Sequence, residues 1–176
     1  YTRARKDEKK GSIFMYDTII IGNGPAGIST ALYTTRANLK TLIIGKDTGA
    51  LKNAHEIENY YGFEHPISGK QLIENGIQQA KRLGATIMQD EVVGLGYFDH
   101  FEVTTKNGVF YSNSLVIATG TSRNTPGING LKELEGRGVS YCAVCDAFFY
   151  RGKDVAVLGN GDYALHEAME LLSTAH

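Results

Sequence analysis

Cysteine, proline and tryptophan are scarce in this 176-residue chain, with two, three and none respectively. Two cysteines in a single C-x-x-C, Cys142 and Cys145, exclude a secreted scaffold, whose disulfides would be more numerous and spread along the chain. No run approaches the roughly 18–20 apolar residues of a membrane-spanning helix. Residues 1–11 are polar and charged, unlike a secretory signal with an apolar centre. The cytoplasm is the expected compartment. An excess of one charge is also missing: 18 Lys and Arg face 19 Asp and Glu, for a net charge of -1. That balance points away from nucleic-acid or membrane-surface partners. What remains is ordinary globular composition, 42% hydrophobic and 21% charged, with 21 glycines recurring beside apolar β-like runs.

Residues 1–14 mix basic residues with Asp7 and Glu8 and have no periodicity, so they read as an added tail or as translation upstream of a true start at Met15. Tyr16–Ile21 is a β-branched run and reads as a buried strand. A glycine turn follows, then a helix over residues 28–37 and a second buried strand over residues 41–44. These three make a β-α-β unit. Residues 45–62 read as loop. A helix is expected over residues 68–83, with Ile73, Ile77 and Ala80 on one stripe. One strand is expected over residues 85–93. Strands over 98–105 and 109–112 flank Lys106-Asn107-Gly108, where Asn-Gly signals a hairpin. A short strand at 115–117 runs into Ala118-Thr119-Gly120. Residues 121–130 read as a linker, and residues 154–158 as a strand before a helix at 165–172.

The first motif is Gly22-Asn23-Gly24-Pro25-Ala26-Gly27. In such a turn Gly22 permits the tight bend, Gly24 admits a pyrophosphate to the backbone, and Gly27 lets the helix pack on the strand. The helix N-terminus then faces the phosphates with free N–H groups, and Pro25 suits its first turn. An acidic residue normally ends the second strand and holds the ribose. Here Gly45 and Lys46 stand there, with Asp47 slightly late, so either Asp47 or the loop backbone serves. The second motif, Gly159-Asn160-Gly161-Asp162-Tyr163-Ala164, repeats the pattern with alanine third. Bulky Tyr163, and His166 in the first turn of the helix, leave two readings: a second nucleotide site, or a retained fold whose site is lost.

Between these motifs lies Cys142-Ala143-Val144-Cys145-Asp146. Helical spacing puts both sulfurs and the Asp146 carboxylate on one face. A cysteine at a helix N-terminus gains thiolate character, and Asp146 is placed to move protons to and from a thiolate. Redox chemistry is the favoured reading. Half a zinc site and a pair of inert buried cysteines remain as alternatives, although His55, His65 and His100 are too scattered for zinc spacing. Tyr60, Tyr61 and Phe63 read as core or as a flavin wall, and Phe148 and Phe149 as anchors of the cysteine helix.

Two glycine fingerprints with a C-x-x-C between them resemble the low-molecular-weight, bacterial-type thioredoxin reductases, from Met15 to the last residue. Gly22–Gly27 resembles that family's FAD fingerprint, and residues 56–63 its flavin-contacting loop, with Asn59 at the flavin position. Ala118-Thr119-Gly120 resembles its domain-end turn, residues 142–151 its redox segment, and residues 155–170 the start of its NADPH domain. Gly49-Ala50-Leu51 stands where the family usually has Gly-Gly-Gln.

The resemblance implies an α/β fold: a Rossmann-like FAD-binding domain of the three-layer ββα type over residues 15–120, a linker at 121–129, and the start of a second Rossmann-like NAD(P)-type domain over 130–176. It implies FAD held by Gly22, Gly24, Pro25, Ala26, Gly27, Gly45, Lys46, Asp47, Gly49, Asn59, Thr119 and Gly120, and NADPH at Gly159, Gly161 and Ala164. Electrons from NADPH, or from ferredoxin as the alternative donor, then reach a Cys142–Cys145 disulfide, with Cys145 nearer the flavin and Asp146 protonating the released thiolate. A domain rotation exposes the dithiol, and Cys142 attacks the disulfide of thioredoxin. A homodimer is implied; a resident metal is not. A flavin-binding redox module that does not act on thioredoxin is the remaining alternative.

Overall fold

The computed structural model describes residues 15–122 and 125–176, so the polar tail and residues 123–124 of the expected linker lie outside the described residues. The described residues form two compact units, residues 15–52 with Gln71–Ser122, and Asn53–Lys70 with residues 125–176.

The first unit is built on a six-stranded sheet of order β3-β2-β1-β6-β5-β4. The strands are β1 (Met15–Ile21), β2 (Thr41–Gly45), β3 (Thr86–Gln89), β4 (Val92–Phe98), β5 (His100–Thr105) and β6 (Val109–Ile117). The helices α1 (Pro25–Arg36) and α2 (Gly69–Arg82) connect β1 to β2 and lead into β3. β1 runs parallel to β2 and to β6, and β3 parallel to β2. β4, β5 and β6 form an antiparallel meander. Continuous apolar runs are what strands covered on both faces require. Ile19, Ile20, Leu42, Ile43 and Ile44 are accordingly all fully buried. Strand alternation divides them. Ile20 and Ile43 pack with Ile28 and Ala31 of α1 and Ala80 of α2. Ile19, Ile21, Leu42 and Ile44 pack with Tyr16 and with Val103 of β5.

The expected single strand over residues 85–93 is two strands on opposite edges of the sheet. Asp90 and Glu91 alone join them. Three residue steps reach about 10 Å, whereas five strand spacings in a flat sheet span about 24 Å. The sheet therefore curls, and the meander lies over the face that α1 and α2 leave free. This is how Val103, and Phe110 packed beside it, come to close the second core cluster. The join is pinned by polar bonds. Asp90 N–H donates to Gly45 C=O at 3.1 Å, and Lys106 N–H to Glu91 C=O at 3.0 Å. The Asp90 carboxylate accepts from Asn107 Nδ2 at 3.0 Å. Glu91 pairs with Lys46 at 2.8 Å and also with Lys106.

Other bounds differ in smaller ways. α1 begins at Pro25 rather than 28, because Gly24 is its N-cap and proline is tolerated in the first turn. The strands expected at 109–112 and 115–117 are one, since β6 pairs with β5 at its start and with β1 along its length. β4 and β5 form an additional hairpin that turns at Asp99, a non-glycine residue with φ +64°.

In the second unit, residues 54–69 are tied by a bridge between Ile57 and Ile67 and by Gly69 N–H donating to Ala54 C=O at 2.9 Å. The later segment holds α3 (Ala143–Asp146), a 3-10 turn at Ala147–Tyr150, and α4 (Asp162–Leu171). The strand expected at 154–158 is extended chain outside any sheet. Its neighbour is the short run ending the chain, through Val155 N–H to His176 C=O at 3.0 Å and His176 N–H to Lys153 C=O at 2.9 Å. A parallel strand needs a ladder on at least one side, and this pairing is too short to supply one. Among the described residues no helix is long and apolar enough to cross a membrane.

The Glu91 ion pairs carry a pH signature. The two lysines hold its carboxyl at about 2, below the ordinary 4.5, with the Lys106 bond the larger cause. Folding thus favours the ionised form. The stabilisation is fully present above the unfolded value of 4.5 and is lost as pH falls towards about 2. Glu91→Gln is expected to flatten the stability profile across that window, measured by urea unfolding at successive pH values. An unchanged acid limb would remove Glu91 from the account.

Candidate functional site

The first glycine turn is shaped by close approaches. Gly22 has φ +112°, and a side chain there would overlap the carbonyl of Ala118. A Cβ on Gly27 would overlap the Gly22 carbonyl oxygen, so α1 can start against β1 only without it. Gly24 differs: no heavy atom lies within 4 Å of where its Cβ would stand. It caps α1 with extended backbone, no side chain caps the helix, and no acidic residue lies in the first turn. Pro25 opens the helix without an N–H of its own, the Ile28 N–H is taken by the Gly24 carbonyl at 3.0 Å, and the Ala26 and Gly27 amides stand at the N-terminus. An anion meets bare amides and a positive dipole end there.

The other residues expected around a cofactor in this unit gather at the same end of the sheet. Gly22 N–H donates to Ile44 C=O at 2.7 Å, next to Gly45 at the end of β2. A Cβ placed on Gly49, φ +74°, would stand 3.7 Å from the Gly24 Cα. Ala118 N–H donates to Ile21 C=O at 2.8 Å, which brings Thr119 and Gly120 beside the turn. Lys46 and Asp47 are already engaged. Lys46 bonds Glu91, which raises its pKa. Asp47 Oδ1 accepts from Gly49 N–H at 2.7 Å, and that bond, with Lys52 at 3.6 Å, lowers its pKa. Asp47 therefore closes its own turn. Asn23 is the polar side chain that the sequence reading passed over. It is 7% exposed, its Oδ1 has no partner, and it fills the space that a side chain on Gly45 would need. A buried acceptor without a donor is costly unless a ligand supplies one. The open cradle, uncapped amides and orphan acceptor fit a dinucleotide such as FAD.

In the second unit Cys142 and Cys145 are joined in a disulfide, with Cα atoms 5.3 Å apart. The expected helix is one turn, four residues long, with Cys142 as its N-cap. That is too short for a sizeable macrodipole. Local bonds stand in its place. Cys145 N–H donates to Cys142 Sγ at 3.3 Å. Ser140 Oγ accepts from Cys142 N–H at 3.1 Å and donates to Asp146 Oδ2 at 2.5 Å. The Ala143 N–H donates to the Glu167 carboxylate on α4. Ser140 and Glu167 went unnoticed in the sequence; a serine two residues before Cys142 was the available signal. Asn59 Nδ2 reaches the Val144 carbonyl at 3.5 Å, between the two cysteines. Phe148, expected with Phe149 as an anchor of the cysteine helix, is exposed and meets Phe149 edge-on, and Tyr61, expected as core or as a flavin wall, is fully exposed and so is not core. Among the described residues no group of three or more His, Cys, Asp and Glu is placed to hold a metal ion.

The second glycine turn has similar backbone chemistry and different charge. A Cβ on Gly159 would collide with that of Ala164, and Gly161 is open and caps α4. Asp162, however, places a carboxylate in the first turn of α4, where a phosphate would have to sit. Tyr163 turns away from that end, and its hydroxyl donates to the Tyr141 carbonyl at 3.2 Å.

Residues 16–176 match the family described as pyridine nucleotide-disulphide oxidoreductase. The chain is 45% identical over 159 residues to a thioredoxin reductase of Treponema pallidum (strain Nichols), covering 89% of this chain and 52% of the relative. A thioredoxin reductase of Bacillus subtilis (strain 168) is 42% identical, with 89% and 50% covered. The crystal structure of thioredoxin reductase from Streptococcus pyogenes MGAS5005 superposes with a TM-score of 0.86 at 39% identity, over 92% of this chain and 53% of that one. The chain thus spans about half the length of the curated relatives it matches.

The two first-turn glycines are expected to separate under substitution. Gly27→Ala collides with backbone and should cost at least about 2 kcal/mol, the scale of core overpacking. Gly24→Ala meets open space and should leave thermal unfolding nearly unchanged. Equal losses in the two variants would contradict this geometry.

Proposed function

This chain belongs to the pyridine nucleotide-disulphide oxidoreductase family, and on that premise we propose that it carries the flavin-binding and dithiol elements of an FAD-dependent thioredoxin reductase. The observation that carries the reading is the Cys142–Cys145 disulfide, three residues apart and flanked by a hydrogen-bonded carboxylate, Asp146. The open glycine cradle at Gly22–Gly27 supports it. When bound, FAD supplies a two-electron relay between the electron donor and the disulfide.

The protein's own groups account for the rest. Two electrons open the Cys142–Cys145 bond to two sulfurs, and Asp146, held by Ser140, gives a proton to the thiolate beside it or takes one back. The Cys142 thiolate attacks the disulfide of thioredoxin, forming a mixed disulfide and expelling one partner thiolate. Cys145 then attacks the Cys142 sulfur. The partner leaves as a dithiol and the Cys142–Cys145 disulfide returns, so two electrons enter and two leave. Gly22, Gly24, Pro25, Ala26 and Gly27 would hold the pyrophosphate, with Gly45, Gly49, Thr119 and Gly120 around it; Asn59 is assigned to the flavin by the family resemblance alone.

NADPH at Gly159, Gly161 and Ala164 is the proposed donor. A second reading, with ferredoxin as donor, is favoured by Asp162, whose carboxylate opposes a phosphate at the α4 N-terminus. A homodimer and a cytoplasmic location belong to the same proposal and rest on the family resemblance and the cysteine usage.

The test is an anaerobic visible spectrum with NADPH added, followed by thioredoxin turnover. A flavin band bleached by NADPH supports the first donor. One bleached only by reduced ferredoxin supports the second, and no flavin band sinks the reading. Cys145→Ser is expected to abolish thioredoxin reduction while keeping the flavin. Gly24→Ala should weaken FAD binding by tenfold or more, about the loss of one phosphate–amide contact.

A further inference from the structure

The backbone on either side of Cys142 is held from outside its own segment. Tyr163 and Glu167 are one turn apart on α4, so they share a face. The Tyr163 hydroxyl donates to the Tyr141 carbonyl at 3.2 Å, and the Glu167 carboxylate accepts from the Ala143 N–H. These two backbone groups bracket Cys142. The amide of Cys142 is bonded to Ser140 Oγ at 3.1 Å, and its carbonyl accepts from Asp146 N–H at 3.1 Å. Within the segment, Ser140 Oγ also donates to Asp146 Oδ2 at 2.5 Å and Cys145 N–H to Cys142 Sγ at 3.3 Å. Its helix is a single turn, and Ala143 is the residue of that turn that is buried.

We infer that Tyr163 and Glu167 are positioning residues that fix the backbone of Cys142, so that its sulfur keeps one orientation after the disulfide opens and Cys142, not Cys145, is the outward-attacking thiol. In the oxidised state the covalent bond holds the two sulfurs together. Reduction adds two electrons and two protons and removes that restraint. A four-residue turn does not hold its shape alone. The carboxylate–amide bond from Glu167 is charge-assisted and the stronger of the two grips, and the phenol of Tyr163 is the second. This assigns a role to Tyr163 that its place in a glycine fingerprint does not suggest: its reach is used on the cysteine segment. The inference rests on Cys142 and Cys145 being a reactive dithiol, but not on the identity of the donor or of the protein reduced.

The test needs neither flavin nor thioredoxin. The purified protein is reduced with excess dithiothreitol, freed of it, and treated with substoichiometric iodoacetamide. The share of label on Cys142 and on Cys145 is then read by peptide mass spectrometry. Wild type is expected to label predominantly at Cys142. Glu167→Ala should reduce that preference about tenfold, the scale of losing one charge-assisted hydrogen bond, and Tyr163→Phe by a smaller factor. Glu167→Gln keeps an acceptor for the Ala143 amide and should restore most of the preference, which a loss of charge alone would not do. Wild-type selectivity in both Glu167→Ala and Tyr163→Phe would overturn the inference, as would Glu167→Gln behaving like Glu167→Ala. If Glu167→Ala fails to fold, Tyr163→Phe, which removes a single oxygen, decides alone. Failure of thioredoxin turnover with selectivity intact would overturn the proposed function and leave this inference standing.

Discussion

A connection of two residues, Asp90 and Glu91, joins strands at opposite edges of a six-stranded sheet, and the first unit is arranged around that short reach. The chain cannot cross a flat sheet in three steps, so the sheet curls and the meander becomes a layer of its own. The curl gives Ile19, Leu42 and Ile44 a cover that α1 and α2 do not provide. It also explains why so polar a pair sits beside the core. Asp90 is 8% exposed, yet its carboxylate and amide are both bonded, and Glu91 gathers a lysine from each side of the junction. Unpaired, those groups would oppose the curl; paired, they fasten it.

The two glycine turns separate geometry from affinity. Both place small residues where extended chain and a helix must touch: Gly22 with Gly27 in one, Gly159 with Ala164 in the other. Both leave the middle glycine open. They differ in what the helix N-terminus already holds. α1 begins without an acid, whereas α4 begins with Asp162. A first-turn carboxylate already meets the positive end of the helix dipole and opposes a phosphate there. A glycine spacing therefore reports a close approach of extended chain and helix, and the first-turn charges distinguish the two helix ends.

What the sequence disclosed follows the same division. β1, β2, α2 and the Asn107-Gly108 hairpin were legible because period and turn chemistry are local. The break at Asp90–Glu91 was not, because apolar residues continue on both sides of it and the competing partners, β2 and β5, are distant in sequence. The strand expected at 154–158 has the right composition, but a strand is defined by its neighbours, and among the described residues the backbone bonds it makes join it to His176 alone. At the first glycine turn the expected residues converge. Of the two ribose contacts considered, Asp47 or the loop backbone, Asp47 also bonds Gly49 two residues on, an Asx turn that its own spacing to a glycine foreshadows. Asn23 escaped notice because it occupies a position that the glycine pattern leaves free.

At the cysteines the reading was right about proximity and incomplete about cause. Spacing brought Cys142, Cys145 and Asp146 together, but the helix meant to supply a dipole is one turn long. The groups that act on Cys142 are single bonds from named partners: the Cys145 amide on its sulfur, and Ser140 linking its amide to Asp146. This changes how acidity at the pair is to be understood. A dipole biases any thiolate at a helix start, whichever cysteine bears it. A donor aimed at one sulfur, with a carboxylate fastened nearby, treats the two sulfurs differently. Thiol–disulfide exchange needs that asymmetry, because one sulfur has to attack the partner while the other waits to release it. A C-x-x-C spacing is symmetric in sequence; the local hydrogen bonds, including those reaching it from α4, are what make its two ends unequal.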